Sequence, residues 1–296
     1  MIVISDAVQA ALANRRPVVA LESTIFSHLG LPSPANEEAL RRCVGAIEEG
    51  GGVPAITAVL DGVPRVGLES SEYSRILGPA QKAAERELPV AVAQVWPVGA
   101  TTVSASLFLA AKAGVRVFAT GGIGGVHRGD DHDVSADLGA LADHPVVTVC
   151  AGAKNFLDLP RTLEYLETLG VPVLGFKTNE FPAFYARTSG VAVPQRVDSA
   201  VEAAAVATAQ QTLGRTGGVL VTVPIPEPDA IAASVVDTAI ESALAAARDQ
   251  GLVGAEITPA VLAAIGEATQ GATVPANLAL AENNARVAVQ IAAELA

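Results

Sequence analysis

The chain alternates short β-branched runs with stretches of helical spacing, and this alternation limits its fold more than any single residue does. Pro17–Leu21, Pro54–Leu60, Val115–Ala119, Val146–Cys150, Val171–Phe176 and Gly218–Val223 are too short for helices and carry few or no charges. Runs of this kind, rich in Val and bounded by glycine-bearing turns, read as strands buried on both faces. Between them, Asn36–Glu49 is an amphipathic helix closed by Gly50-Gly51-Gly52, Gly99–Ala113 a helix of small residues, and Arg161–Leu169 a helix ended by Gly170. Three Ala-rich helices, about Asp229–Ala247, Pro259–Ala268 and Ala276–Leu295, complete the chain. Strands and helices in alternation predict an α/β fold, with a mostly parallel central sheet and helices outside it. One hairpin interrupts the pattern, at Asp61-Gly62 between Pro54–Leu60 and Pro64–Leu68. No linker-like segment divides the 296 residues, so residues 1–296 are expected to form a single domain.

Composition excludes several functions. Hydrophobic residues make up 50% of the chain, yet no apolar run reaches the ~20 residues of a membrane span. The opening MIVISDAVQAALANRR is too acidic, and its apolar part too short, for a secretory signal. A net charge of -12 argues against a nucleic-acid surface, which runs on clustered Lys and Arg. Cys43 and Cys150 lie far apart inside apolar patterns and lack zinc spacing, so they are expected to be buried free thiols of a cytoplasmic protein.

The chemistry concentrates between Val115 and Phe156. The first strand there runs into Thr120-Gly121-Gly122-Ile123-Gly124-Gly125 and then a polar segment with His127, Arg128, Asp130, Asp131, His132, Asp133, Ser135 and Asp137. The second runs into Ala151-Gly152-Ala153-Lys154. Carboxyl ends of strands are where open α/β sheets place ligands. Only four lysines stand against fifteen arginines, and Lys154 is the only charge between Val146 and Asp158. A lysine at the end of an apolar strand either loses solvation, which makes its neutral amine a nucleophile, or opens a helix and points into water. Glu22, after Pro17–Leu21, is either an acid at the sheet's end or a cap for the following turn. Lys82 on its own reads as a surface lysine within a charged turn. The glycine run fits neither a dinucleotide fingerprint nor a P-loop, although its backbone N–H groups, like those at Thr101-Thr102, can form an anion nest. Asp130, Asp131, Asp133 and Asp137 suit a hard divalent cation or a solvated acidic loop, but not an EF-hand.

ALESTIFSHLGLPSPAN, FATGGIGGVHRG, DVSADL, VCAGAK, LDLPRTLEYLETLGVPVLGF, EFPAFYARTSG and PIPEPDA, in this order, resemble the pseudouridine-5'-phosphate glycosidases, a family that includes indigoidine-synthase-A-like proteins. The likeness runs from about Pro17 to the last helix. It implies a three-layer α/β/α subunit, a homotrimer, one divalent ion per subunit (usually Mn2+), and reversible conversion of pseudouridine 5'-phosphate and water to uracil and ribose 5-phosphate. By the matching motifs it makes Lys154 the nucleophile, Glu22 the proton donor and Asp133 the metal ligand. It places Lys82, Val103, Thr120, His127, Ser135, Ala136, Asp137 and Asn277 against the substrate. The chain departs from the family at Val223, where Asn is usual, and at Trp96-Pro97, where small polar residues are usual.

These residue types suit that reaction. Uracil in pseudouridine is attached through carbon, so its departure requires protonation of a ring carbon, and hydrolysis by two carboxylates alone fits poorly. An acid protonating the ribose ring oxygen, an amine attacking the anomeric carbon and water hydrolysing the resulting imine divide one hard step into easier ones. The same residues also allow a Schiff-base aldolase or isomerase of sugar phosphates, or a metabolite-binding protein without turnover.

Overall fold

The computed structural model describes residues 1–128, 133–251 and 257–296. Its strands follow the chain as β1 (Val3–Ile4), β2 (Val18–Leu21), β3 (Val53–Leu60), β4 (Val63–Val66), β5 (Gln81–Ala83), β6 (Val98–Thr101), β7 (Val117–Ala119), β8 (Val126–His127), β9 (Val147–Cys150), β10 (Leu157–Asp158), β11 (Val173–Phe176), β12 (Gln195–Val197) and β13 (Val219–Thr222). Strands β3-β2-β7-β9-β13-β11-β12 lie side by side in that order, every neighbouring pair parallel. Every residue of β2, β7, β9, β11 and β13 is buried, as expected where helices cover both faces. One face carries helices Ala35–Glu49, Ala200–Thr212 and Thr273–Leu295, the last packed across β2, β7 and β9; the other carries Val103–Ala113, Ala136–Asp143 and Leu159–Thr168. The α/β expectation with a mostly parallel sheet is met, and so is the hairpin at Asp61-Gly62, where β4 returns antiparallel to β3.

Two expectations fail around β6. Gly99–Thr101 lies in a strand rather than opening a helix, and Lys82 lies in β5 rather than in a turn. Strand β3 spends its first half on β2 and its second half on β4 and β6, so a second, mixed sheet grows from its end. Gly99 packs so close to Val59 that an added Cβ would sit 3.1 Å from the valine Cβ. Small residues that look helix-compatible in sequence are here chosen for close strand packing, and tertiary pairing overrides propensity. Helix Val103–Ala113 starts only after Thr102. Trp96 and Pro97 sit at the opposite end of β6 from Thr101, where their carbonyls accept from Gly62 and Asp61 N–H (2.9 and 3.1 Å). That departure from the family pattern thus shapes the hairpin end of the small sheet and lies away from Glu22.

The order of connections defines a crevice. From β2 the chain crosses to β3 on one side, and from β7 to β9 on the other, although β2 and β7 are neighbours. Their carboxyl ends form a topological switch point, where the loops diverge and leave room for a ligand.

Candidate active site

Glu22 and Thr120 follow β2 and β7 directly, so both flank this crevice. The Thr120 hydroxyl donates a short hydrogen bond to Glu22 Oε1. Glu22 is buried, and burial pushes its carboxyl up from the ordinary range to about 7. The Thr120 hydrogen bond and the charges of Lys154 and Lys82 act in the opposite direction, while Asp137 adds to the rise. Glu22 therefore exchanges its proton near neutral pH, and the charges that bear on it belong to three residues singled out in the sequence.

Lys154 reaches this place because pairing of β7 with β9 continues past both strands as an irregular ladder. Thr120 N–H donates to Val149 O (3.0 Å), Ala151 to Gly121 O (2.9 Å), Ile123 to Gly152 O (3.1 Å) and Lys154 to Ile123 O (3.1 Å). The two glycine-bearing turns thus run side by side, and the lysine ends half-buried beside the crevice rather than on an open helix start. Lys112 and Lys177 stack on Phe108 and Phe176, whereas Lys82, exposed on β5, and Lys154 have no ring or carboxylate partner among the described residues.

The glycines play a different part from the expected open nest. Gly124 N–H donates to Asp137 Oδ2 (2.8 Å), and Ser104 N–H, in the first turn of Val103–Ala113, donates to Asp137 Oδ1 (3.1 Å). A carboxylate of the protein therefore occupies one donor of the glycine turn and one of the helix N-terminus, two places where an external anion was expected. Its carboxylate links both to helix Ala136–Asp143, which Ser135 caps by accepting from Asp137 N–H (3.2 Å). Glycine is required here for lack of space: Cβ atoms at Gly122, Gly124 and Gly125 would meet Phe184, Ser135 and Thr162. Phe181, Phe184 and Tyr185 are all buried, and Phe184 N–H donates to Ala151 O (3.1 Å), so the aromatic segment seals both turns.

The remaining predicted residues sit on other elements. Val103 is buried at the first position of its helix, and Ala136 is exposed. His127 pairs with Leu157 across the β8–β10 ribbon; its Nδ1 lies 3.7 Å from Asp133 Oδ2, and its N–H donates to Asp133 O (2.9 Å). Asp130 and Asp131 lie outside the described residues. Among the described residues no three His, Cys, Asp or Glu side chains cluster as a metal cage. A single half-buried carboxylate beside an imidazole fits a hard cation that keeps most of its waters, such as Mg2+ or Mn2+, better than a soft one. Asn277 donates to the Tyr185 hydroxyl (2.7 Å). A cavity of about 460 Å³ beside Arg128, Asn155 and Ser189 is not lined by Glu22, Lys82 or Lys154. Both cysteines are free and buried, their thiols pushed up to about 12, which removes them as nucleophiles.

Sequence reading passed over the layer beneath the site. Thr101 Oγ1 lies 3.1 Å from Ser23 Oγ and 2.8 Å from Thr57 Oγ1, which in turn lies 2.8 Å from Ser106 Oγ; this buried hydroxyl chain joins β2, β3 and β6 under Glu22. Asn284, fully buried in the last helix, was passed over as well. Its one signal was the seven-residue spacing from Asn277, which puts both on one helix face.

The family described as indigoidine synthase A like protein matches residues 7–294. The chain belongs to that family. Curated relatives of similar length agree. A pseudouridine-5'-phosphate glycosidase from Caldanaerobacter subterraneus subsp. tengcongensis is 49% identical over 99% of this chain and 96% of its own. The Escherichia coli K12 protein of that name is 48% identical over 98% and 94%, and the Arabidopsis thaliana one 45% identical over 100% and 90%. Among solved structures, the prealnumycin C-glycosynthase AlnA in complex with ribulose 5-phosphate superposes with a TM-score of 0.92 at 38% identity, covering 100% of this chain and 97% of that one. An indigoidine synthase A-like protein from Thermotoga maritima gives 0.89 at 35%, covering 99% and 97%. This indigoidine synthase A-like chain thus shares its fold with the AlnA complex over its entire length.

Proposed function

We propose that this protein is a pseudouridine-5'-phosphate glycosidase, converting pseudouridine 5'-phosphate and water reversibly to uracil and ribose 5-phosphate. The observation that carries the reading is the convergence, at the switch point, of a buried carboxyl that titrates near neutral pH with a half-buried lysine that has no salt-bridge or ring partner among the described residues. Glu22 donates its proton to the ribose ring oxygen. The Lys154 amine attacks the anomeric carbon and the ring opens. A proton added to the uracil carbon lets the carbon–carbon bond break, with the bonding electrons going to uracil. Water then hydrolyses the lysine imine, releasing ribose 5-phosphate and the free amine. The residues in hand are a proton donor and an amine, as this route requires and two-carboxylate hydrolysis does not.

Thr120 holds Glu22, and Asp137 fixes the turn and the helix start that frame the substrate, with Ser135 and Ala136 at the adjoining helix end. Lys82 supplies positive charge for phosphate, while Val103, His127 and Asn277 complete the wall. Asp133, with His127 beside it, would hold a divalent cation such as Mn2+, which contributes Lewis acidity and ordered water on the uracil side. We further infer one domain, a homotrimer and a cytoplasmic setting; among the described residues no helix is long and apolar enough to cross a membrane. Incubation of pseudouridine 5'-phosphate with the protein and Mn2+, read by uracil absorbance and mass, should give equimolar uracil and ribose 5-phosphate. Chelation, or Asp133→Ala, should reduce the rate at least tenfold. Turnover of ribose 5-phosphate to another sugar, with pseudouridine 5'-phosphate left intact, would instead identify a sugar-phosphate isomerase.

A further inference from the structure

Asn284 is the one polar side chain in the stretch of the last helix from Leu280 to Ala288 that is fully enclosed, amid buried Leu280, Ala281, Ala285 and Ala288. Its Nδ2 donates to the carbonyls of Thr120 (2.8 Å) and Gly121 (3.2 Å), while its Oδ1 has no partner among the described residues. Leucine or alanine would fill this place without burying an unsatisfied oxygen, so packing alone does not account for an asparagine. The two carbonyls belong to the first residues after β7, where the ladder to β9 turns irregular. Gly121 O also receives Ala151 N–H, but Thr120 O has Asn284 as its hydrogen-bond donor. Thr120 is therefore held from both sides: its N–H by Val149, its carbonyl by Asn284, leaving its hydroxyl directed at Glu22.

We propose that Asn284 is a positioning residue for the catalytic acid: through the Thr120 carbonyl it fixes the hydroxyl that hydrogen-bonds Glu22, and so sets the pH above which the acid is spent. This rests on the glycosidase reading for its kinetic consequence, though not for its effect on Glu22. The other groups facing Glu22 are Lys154, Asp137 and Lys82, with the neutral Cys43 thiol on helix Ala35–Glu49; the hydrogen bonds of Asn284 go to the Thr120 and Gly121 carbonyls and to none of these groups. Loss of Asn284 leaves Thr120 O without its donor, frees the threonine to turn and weakens the hydrogen bond that favours ionised Glu22. The carboxyl then keeps its proton to higher pH, and of the residues placed against the substrate only Thr120 is disturbed.

The test uses full-length wild type, Asn284→Ser, Asn284→Leu and, as a packing control seven residues on along the same helix face, the buried Ile291→Ala. Two readouts are taken: the pH profile of kcat and KM, and an infrared titration of the Glu22 carboxyl, assigned by its disappearance in Glu22→Gln. In the Asn284 variants the carboxyl midpoint and the basic limb should rise together by about one pH unit, the size of one lost hydrogen bond. The pH dependence of kcat should follow the carboxyl midpoint in each Asn284 variant, while Ile291→Ala should lose thermal stability without moving the midpoint. A midpoint that stays in place in a folded Asn284 variant, or that moves equally in Ile291→Ala, overturns the assignment. Loss of folding in both Asn284 variants would also count against a role confined to the acid. If wild type does not cleave pseudouridine 5'-phosphate but the midpoint still moves, the glycosidase reading falls and the positioning role stands.

Discussion

Glu22 shows how one residue's environment converts an ordinary carboxyl into a neutral-pH acid. Desolvation is the largest influence on it, and the Thr120 hydrogen bond and the lysine charges offset that only in part. Two consequences are measurable. As the protonated form is the active one, kcat/KM should fall as pH rises through about 7. Stability should fall with it: because the folded-state value is raised above the unfolded one, the folded chain binds more protons between pH 4.5 and about 7, and stability declines as pH climbs through that window. Glu22→Gln should therefore be more stable than wild type by roughly 3 kcal/mol at pH 8, with the gap closing near pH 4.5, while turnover is lost. Calorimetry at several pH values checks this, and a gap independent of pH would contradict it. In sequence, Glu22 could be placed at a sheet end from the apolar run before it. Its partner Thr120 lies 98 positions away, and nothing local announces that contact.

At the scale of elements, the legible part was the alternation of buried strands and helices, since burial on both faces leaves a continuous β-branched run. Less legible was why glycines gather after β7 and β9. The consecutive, apparently free N–H groups of Gly121–Gly125 read as an anion nest, yet Asp137, from a helix that the sequence pattern did not disclose, takes one of them. Space explains the glycines better. Gly152 has φ +82°, and a Cβ there would run into the Pro182 carbonyl. Gly152→Ala combines backbone strain with a steric clash against main chain, so it should cost at least 2 kcal/mol, roughly. It should also displace Lys154, two residues on. A melting temperature unchanged from wild type, with full activity, would contradict this packing. Phe184, itself at φ 59°, is held in that unusual backbone state by its bond to Ala151. The aromatic segment and the lysine turn therefore form one unit, although Phe184 stands 33 positions beyond Ala151 in sequence. Strand β5 and the start of helix Val103–Ala113 were misplaced for a related reason: Gly99 and Ala100 are small to let strands approach, and in sequence that need is indistinguishable from helix content.

Across the whole molecule, a net charge of -12 must coexist with an anionic substrate. Screening beyond roughly 8 Å at physiological salt makes the local field decisive. With Asp137 filling a donor of the turn and one of the helix start, the burden of phosphate recognition shifts to side chains, and Lys82 is the exposed cation whose charge reaches Glu22. Unphosphorylated pseudouridine should be a poorer substrate than its 5'-phosphate, and Lys82→Ala should erase about 1.5–3 kcal/mol of that preference in kcat/KM, the worth of one charge-assisted hydrogen bond. Equal kcat/KM for the two substrates in wild type would remove Lys82 from this role. The family resemblance pointed to Lys82 as a substrate contact, whereas its own surroundings in sequence pointed to an ordinary surface lysine. The folded sheet brings it, on the outer strand β5, near enough for its charge to bear on Glu22.

The central claim is that Lys154 forms a covalent bond to the opened sugar, and reductive trapping tests it most directly. Protein incubated with ribose 5-phosphate and borohydride, then digested and mass-analysed, should carry one reduced sugar phosphate on the peptide containing Lys154, and none in Lys154→Ala. Label on another lysine, or no label on protein that actively cleaves pseudouridine 5'-phosphate, would contradict the imine.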